Sequence, residues 1–512
     1  MGTFNYDDEN ESIATMEEEF SVQVSDDDPF HVLLLGDFSG MTSKADEIPS
    51  SSLSQRRPVE IDRDSFDDVM KKLKVGLWLN FDDNSFLNLR FTELEDFHPD
   101  RIFQQVPLFA KLRDTRRGLL NPNTFELTAK EVRGWAGVEK QEEAPEPIAE
   151  RALPADDLLA QLLSEAQTAK PQQTKPREMT EISALISDAV KPFLVKTDEA
   201  EQSRLVSAVD EATSELMRKI LHHPHFQALE SAWRAVYLLV RRVDTDEDTK
   251  LFLLDATKDE IARDLKSAGD LSKTALYKWL IEDAIETPGA TAWSVVCADY
   301  GFQPVVDDVA MLIRVGKMAQ ASGTPFIAKG CHSILGAESF EKLSDSDEWN
   351  LSEDSNETKL WNTLRSMPES AYLGLAIPRF LTRLPYGTDT DPTESFSFEE
   401  FTEGNNHENY CWANPSFVCG MLLAQSFSSF GWDMENGLLQ DIDGLPMHFF
   451  NEDGETKPKP CAETVMTLKT AEKILEEGLM PLLSFKDSDR VRLGRFQSIA
   501  HPSKPLRGRW NV

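Results

Sequence analysis

Three histidines stand side by side with one proline at His222, His223 and His225, and imidazoles so grouped could hold zinc. As a metal site the group falls short. Ligands on one helix face sit three or four residues apart, and no nearby Cys, Asp or Glu completes a set at that spacing. The alternative is a helix entry, because Pro224 suits a first helical turn, where a missing N–H costs nothing. His98, between Asp96 and Asp100, can be drawn as an acid–base cluster. Equally, Asp96 can cap a helix whose first turn holds Pro99. Gly36-Asp37-Phe38-Ser39-Gly40 follows an apolar run. A phosphate-binding loop needs GKS/T and a dinucleotide loop needs GxGxxG, so this is a strand ending in a glycine turn. Arg379, Arg383 and Tyr386 lie in a connection bracketed by Pro378 and Pro385. Such prolines fix an irregular path, and the two guanidinium forks face either an acidic partner or an internal carboxylate. No motif supplies nucleophile, base and oxyanion hole together. The residues therefore predict no enzyme, no cofactor and no metal. A Cys/His hydrolase using His98 or the His222 to His225 group is the remote alternative.

The elements that position these residues must be built from 512 residues, enough for roughly three domains. A net charge of −36, from 53 basic and 89 acidic side chains, repels phosphate backbones and anionic lipid, which argues against nucleic acid and membrane as partners. Five scattered cysteines without CxxC spacing (Cys297, Cys331, Cys411, Cys419 and Cys461) read as reduced thiols of a cytoplasmic protein. No apolar run approaches a membrane span or a signal sequence.

Along the chain, residues 1–19 are acidic and read as a mobile tail. Phe20, Val22 and Val24 then alternate with polar residues, as in a half-buried strand. Residues 30–35 are apolar enough for a central strand. Asp64 is placed to cap a helix reaching Leu73, and residues 77–79 and 87–91 suggest a hairpin. Residues 139–180 are charged and Pro-rich, a linker by composition. Within it, at 156–168, Leu158, Leu159, Leu162 and Leu163 make one apolar stripe on a short helix. A helix so short is marginal alone, so the stripe seeks a groove on its own body or on a partner. Beyond a helical pattern at 181–221, Phe226, Leu229, Trp233, Val236, Leu239 and Val240 recur at helical spacing. Strands at 249–254, 293–300, 324–330 and 372–378 alternate with helices at 258–266 and 308–321, as in an α/β layer with a mostly parallel sheet. Residues 341–370 read as an acidic loop.

With these segments in place, residues 20–138 resemble the small subunit of the type VI secretion contractile sheath (the TssB/VipA family). The matching pieces are LLLGDFSG, RRPVEIDRDSFDDVMKKL and ELEDFHPDRIFQQVP. Residues 181–500 resemble the large subunit (the TssC/VipB family), through ILHHPHFQALESAWR, AIPRFLTRLPYG, SFSFEE with ENYCWAN, and GLPMHFF with KPCAE. The resemblance implies a fused small and large subunit in an α/β fold. Its mixed sheet is shared by the two halves and flanked by helices, with the linker and its short helix between them. It implies strand exchange with neighbours, for which Phe20, Val22 and Val24 are candidates. It also implies that a AAA+ unfoldase captures a helix in the position of Leu158, Leu159, Leu162 and Leu163. Gly36, Asp37, Asp96, His98, Pro99, His222, His223, Trp233, Arg379, Arg383 and Tyr386 become structural motif residues. The partners implied are other sheath subunits or copies of the same chain, with inner-tube, baseplate or unfoldase proteins beyond them. The family's large subunit continues past the match at 495–498, whereas this sequence ends in a short basic tail at 501–512. An accessory role, as initiator, cap or regulator of assembly, therefore stands as the alternative to a sheath component. A pure adaptor that recruits the unfoldase is a third reading.

Overall fold

The computed structural model describes residues 28–44, 52–82, 85–135, 201–352, 354–402, 407–452 and 454–511. The expected acidic tail, the strand at Phe20, Val22 and Val24, and the linker with Leu158, Leu159, Leu162 and Leu163 lie outside these residues.

The chain divides into two units, the first comprising Met1–Leu73, Ala228–Leu384 and Asn405–Val512. It is built on a nine-stranded sheet. From edge to edge the strands are Asp441–Ile442, Val491–Leu493, Leu479–Ser484, Leu373–Ile377, Phe326–Gly330, Val295–Phe302, Phe30–Gly36, Thr249–Asp255 and Val59–Ile61. Pairing is parallel from Leu479–Ser484 through to Thr249–Asp255 and antiparallel beyond it on either side. The middle strand explains this arrangement. Phe30, Val32, Leu33, Leu34 and Leu35 are all at most 1% exposed, and a strand apolar on both faces needs helices on both sides, as a parallel sheet provides.

Helix Ser416–Phe430 is buried along nearly its whole length and packs on the central strands. It is apolar all round, so no amphipathic period marks it in the sequence. Helix Lys258–Ser267 opens with a capping box between Thr257 and Glu260. Helix Val306–Ser322 closes on Gly323 at φ 67°, a left-handed turn that glycine adopts without strain.

Two expectations need correction. The acidic stretch 341–370 contains helix Asn356–Arg365, started by Ser355, whose hydroxyl accepts the Thr358 N–H. Trp361 and Leu364, with the half-buried Leu360, form its apolar side, too few to show a period against the surrounding acids. The helix Phe66–Leu73 is capped by Asp62 rather than Asp64, because the Asp62 carboxylate accepts the N–H groups of Asp64 and Ser65.

The second unit comprises Lys74–Gln227 and Pro385–Gly404. It holds the hairpin Gly76–Asp82 with Ser85–Arg90 and the helices Pro99–Gln105, Pro107–Leu120, Phe125–Trp135 and Glu201–Leu221. Phe91 and Phe97 stack at 4.0 Å, with Phe226 edge-on to both, a favoured aromatic geometry. Among the described residues no helix is long and apolar enough to cross a membrane.

Candidate functional site: buried ion pairs at the motif residues

In the first unit the two arginines of the Pro378–Pro385 connection meet internal carboxylates. Arg383 donates from Nε and Nη2 to the two oxygens of Glu230 at 2.7 and 3.1 Å, and Arg234 adds a third bond at 2.8 Å. Arg379 forks onto Glu463 and also reaches Glu408 at 2.9 Å. Glu463 accepts as well from His407 Nε2 at 3.0 Å, while Lys459 Nζ lies 2.8 Å from His407 Nδ1. Burial alone would raise the Glu463 carboxyl, but the hydrogen bonds from Arg379 and His407 overcome it and hold the group down at about 2.

His407, Glu408 and Glu463 lie close enough to share an ion. The donor set argues otherwise. Arg379 already occupies Glu463 in bidentate fashion, and Lys459 sets an ammonium against His407. A divalent metal would have to displace one cation and sit beside the other.

The GDFSG turn is held both from within and by its neighbours. Asp37 accepts the N–H groups of Met41 and Thr42 at 2.6 and 2.7 Å. A side chain at Gly36 would press on Asp299 and Phe38, which is the turn's reason for glycine. Trp233 donates its indole N–H to Phe38 O at 2.8 Å and meets the rings of Phe38 and Phe66 edge-on. Nearby, burial pushes Asp255, at the end of strand Thr249–Asp255, up to about 6 and Asp299, within strand Val295–Phe302, up to about 7.

In the second unit the histidines stand apart in function, and two of them cap helix starts. His98 Nδ1 accepts the Asp100 N–H and caps helix Pro99–Gln105, its ring edge-on to Tyr386. Asp96 turns back instead, accepting from the N–H groups of Thr92 and Glu93. Pro99 occupies the first helical turn. His223 Nδ1 accepts the His225 N–H at the start of the next helix, and burial lowers its pKa. His222 lies 3.4 Å from Glu400, whose other oxygen accepts the Tyr386 N–H. His222 and His223 thus face different partners and form no common site. Of the five free cysteines, Cys297, Cys411, Cys419 and Cys461 are buried. Burial pushes the Cys411 thiol up to about 12 and that of Cys461 to about 11, the reverse of an activated nucleophile.

Arg379, Arg383, Tyr386, Trp233 and the histidines were visible in the sequence. Their partners Glu230, Glu400 and Glu463 were not, since nothing local to an acid shows which distant group it meets. This fold and these sites define a structural class of α/β protein, whose motif residues hold segments of the chain together.

Residues 203–500 match the VipB family, described as EvpB/VC_A0108, tail sheath N-terminal domain, and residues 15–128 match VipA of the type VI secretion system (VipA, VC_A0107 or Hcp2). The type VI secretion system sheath protein TssC1 of Pseudomonas aeruginosa is 31% identical over 347 residues, covering 65% of this chain and 69% of the relative. The sheath protein TssB1 of the same organism is 26% identical over 133 residues, or 23% of this chain and 75% of the relative. The chain belongs to the type VI secretion sheath family, as a TssB-like half fused ahead of a TssC-like half. It is a structural sheath component, and the accessory reading is not favoured.

Proposed function

We propose that this single polypeptide supplies both subunits of a contractile sheath protomer, held in fixed proportion by fusion. One observation carries the reading. The Phe30–Gly36 strand of the TssB-like half pairs on one side with Thr249–Asp255 and on the other with Val295–Phe302 of the TssC-like half. A shared sheet of this kind makes one folding body of two family domains.

In this reading the partners are copies of the chain or separate sheath subunits, met through main-chain pairing of the segment with Phe20, Val22 and Val24. Inner-tube and baseplate proteins are further partners. A AAA+ unfoldase would take Leu158, Leu159, Leu162 and Leu163 to recycle spent sheath. The protein works in the cytoplasm and has no catalytic activity, cofactor or metal. The domain plan is a tail at 1–19, a small-subunit domain at 20–138, a linker at 139–180, a large-subunit domain at 181–500 and a basic end at 501–512.

Negative-stain imaging tests the proposal, using the purified chain alone and mixed with separate small and large subunits. Tubes, or incorporation of the chain into tubes, are expected. A strict monomer that never enters a sheath overturns it.

A further inference from the structure

The second unit carries a cleft of about 260 Å³ that the sheath reading leaves unused, lined by Phe103, Arg113, Arg116, Arg117, Leu120 and Phe396 among others. Its size lies below the roughly 300–1,000 Å³ of small-molecule pockets, so it suits a few side chains rather than a metabolite. The floor is aromatic, with Phe103 and Phe396 stacked at 4.4 Å. Leu120 is 49% exposed at the rim. The three arginines recur at three- and four-residue spacing on helix Pro107–Leu120 and so share one side.

Their present partners are modest. Arg113 donates to Phe103 O and lies over that residue's ring. Arg116 pairs with Asp210, and Arg117 with Asp114 on the open surface. Exposed pairs of this kind are worth little and can exchange. Of the side chains lining the cleft, three are guanidinium groups and one, Asp210, is a carboxylate. An apolar floor under a cationic wall fits an acidic segment bearing leucines.

We propose that residues 156–166 of the same chain dock in this cleft, with leucines among Leu158, Leu159, Leu162 and Leu163 on the aromatic floor and Asp156, Asp157 and Glu165 facing the arginines. The position of the chain supports this occupant. Helix Phe125–Trp135 precedes the segment and helix Glu201–Leu221 follows it, and both pack against Pro107–Leu120. The second also contributes Asp210 to the cleft. About twenty residues separate Trp135 from Asp156, which reach roughly 70 Å when extended. Tethering gives an effective concentration of about millimolar order, so even weak docking is populated. These are the leucines proposed above for an unfoldase, so docking and capture would compete. The inference needs neither an unfoldase nor sheath assembly to be true.

The test places the photo-crosslinker p-benzoylphenylalanine at Leu162 of the full chain and maps the products by peptide mass spectrometry over a dilution series. Cross-links to peptides carrying Phe103, the Arg113 to Leu120 turns or Phe396 are expected, with a yield independent of protein concentration. Arg116→Glu with Arg117→Glu should lower that yield several-fold while the melting temperature holds. Adding Asp156→Lys and Asp157→Lys should restore it. Leu159→Asp with Leu163→Asp, in the linker itself, should abolish it. Cross-links elsewhere, none at all, or a yield indifferent to both charge reversal and the leucine changes would overturn the proposal. A yield that rises with concentration would replace it with docking onto a second copy.

Discussion

Arg383 and Glu230 lie 153 positions apart in the chain, yet meet through two hydrogen bonds of 2.7 and 3.1 Å, with the Glu230 side chain wholly buried. The pair ties the Pro378–Pro385 connection to helix Pro224–Arg242. Removing Arg383 leaves the buried Glu230 carboxylate to Arg234, at a cost approaching that of a stranded buried charge, about 3–5 kcal/mol. Arg383→Ala should therefore lower the urea midpoint strongly. Arg383→Lys should recover only part of the loss, because an ammonium cannot span both oxygens. A change in unfolding free energy under about 1 kcal/mol for the alanine variant would show the pair to be incidental.

The raised carboxyls set a second expectation. Asp255 at about 6 and Asp299 at about 7, against 3.8 for an ordinary aspartate, bind protons in the folded state that the unfolded chain has already released. Stability therefore falls as pH rises from about 4 to about 7 and these groups make no further change above that. Glu463 has the opposite sign. Its carboxyl is held at about 2 against 4.5, so its contribution is complete above 4.5 and fades as pH drops toward 2. Denaturant midpoints measured from pH 3 to pH 8 should show that Asp299→Asn flattens the fall between 4 and 7, and that Glu463→Gln weakens the acid-side loss. Parallel profiles for wild type and Asp299→Asn would refute the assignment.

The central parallel strands were legible because Phe30 to Leu35 and Val295 to Ala298 are apolar on both faces, a signal that survives in a single sequence. Helix Ser416–Phe430 leaves no mark in the sequence, since burial on nearly every side erases the amphipathic period. The edge strand Asp441–Ile442 and its neighbour Val491–Leu493 have two and three residues, too short for an alternation to register. At the site, prolines and arginines announced a fixed cationic turn, and one of the two readings held open, an internal carboxylate, is what the fold shows. Which carboxylate lies beyond the sequence, because Arg379 and Glu463 are 84 positions apart and only the folded chain brings them together.

Trp233 tests how helix Pro224–Arg242 packs. Its indole N–H holds Phe38 O at 2.8 Å while its ring meets Phe38 and Phe66 edge-on. Trp233→Phe keeps an aromatic ring but leaves that carbonyl unpaired, a loss of about 1–3 kcal/mol. Trp233→Ala adds a cavity and should cost about 3–5 kcal/mol. Equal losses for the two variants, measured by urea unfolding, would mean that the hydrogen bond rather than the ring carries the contact.

Gly420 and Cys297 offer the sharpest test of how closely the buried helix approaches the sheet. Gly420 lies in helix Ser416–Phe430, and a Cβ there would stand 2.7 Å from Cys297 Sγ on strand Val295–Phe302. Alanine is the better helix former by about 1 kcal/mol, so propensity alone predicts that Gly420→Ala stabilises. The overlap predicts the reverse, since overpacking a filled core costs about 1–3 kcal/mol. The steric effect should win, because Cys297 is 0% exposed and its strand is pinned by neighbours on both sides. Cys297→Ala alone opens a small void and should destabilise mildly. Combined with Gly420→Ala it vacates the space the new methyl group needs, so the double variant should be more stable than the sum of the two single losses by at least about 1 kcal/mol. Strict additivity in urea unfolding would show that the two residues are not in contact and that the helix stands farther from the sheet than described.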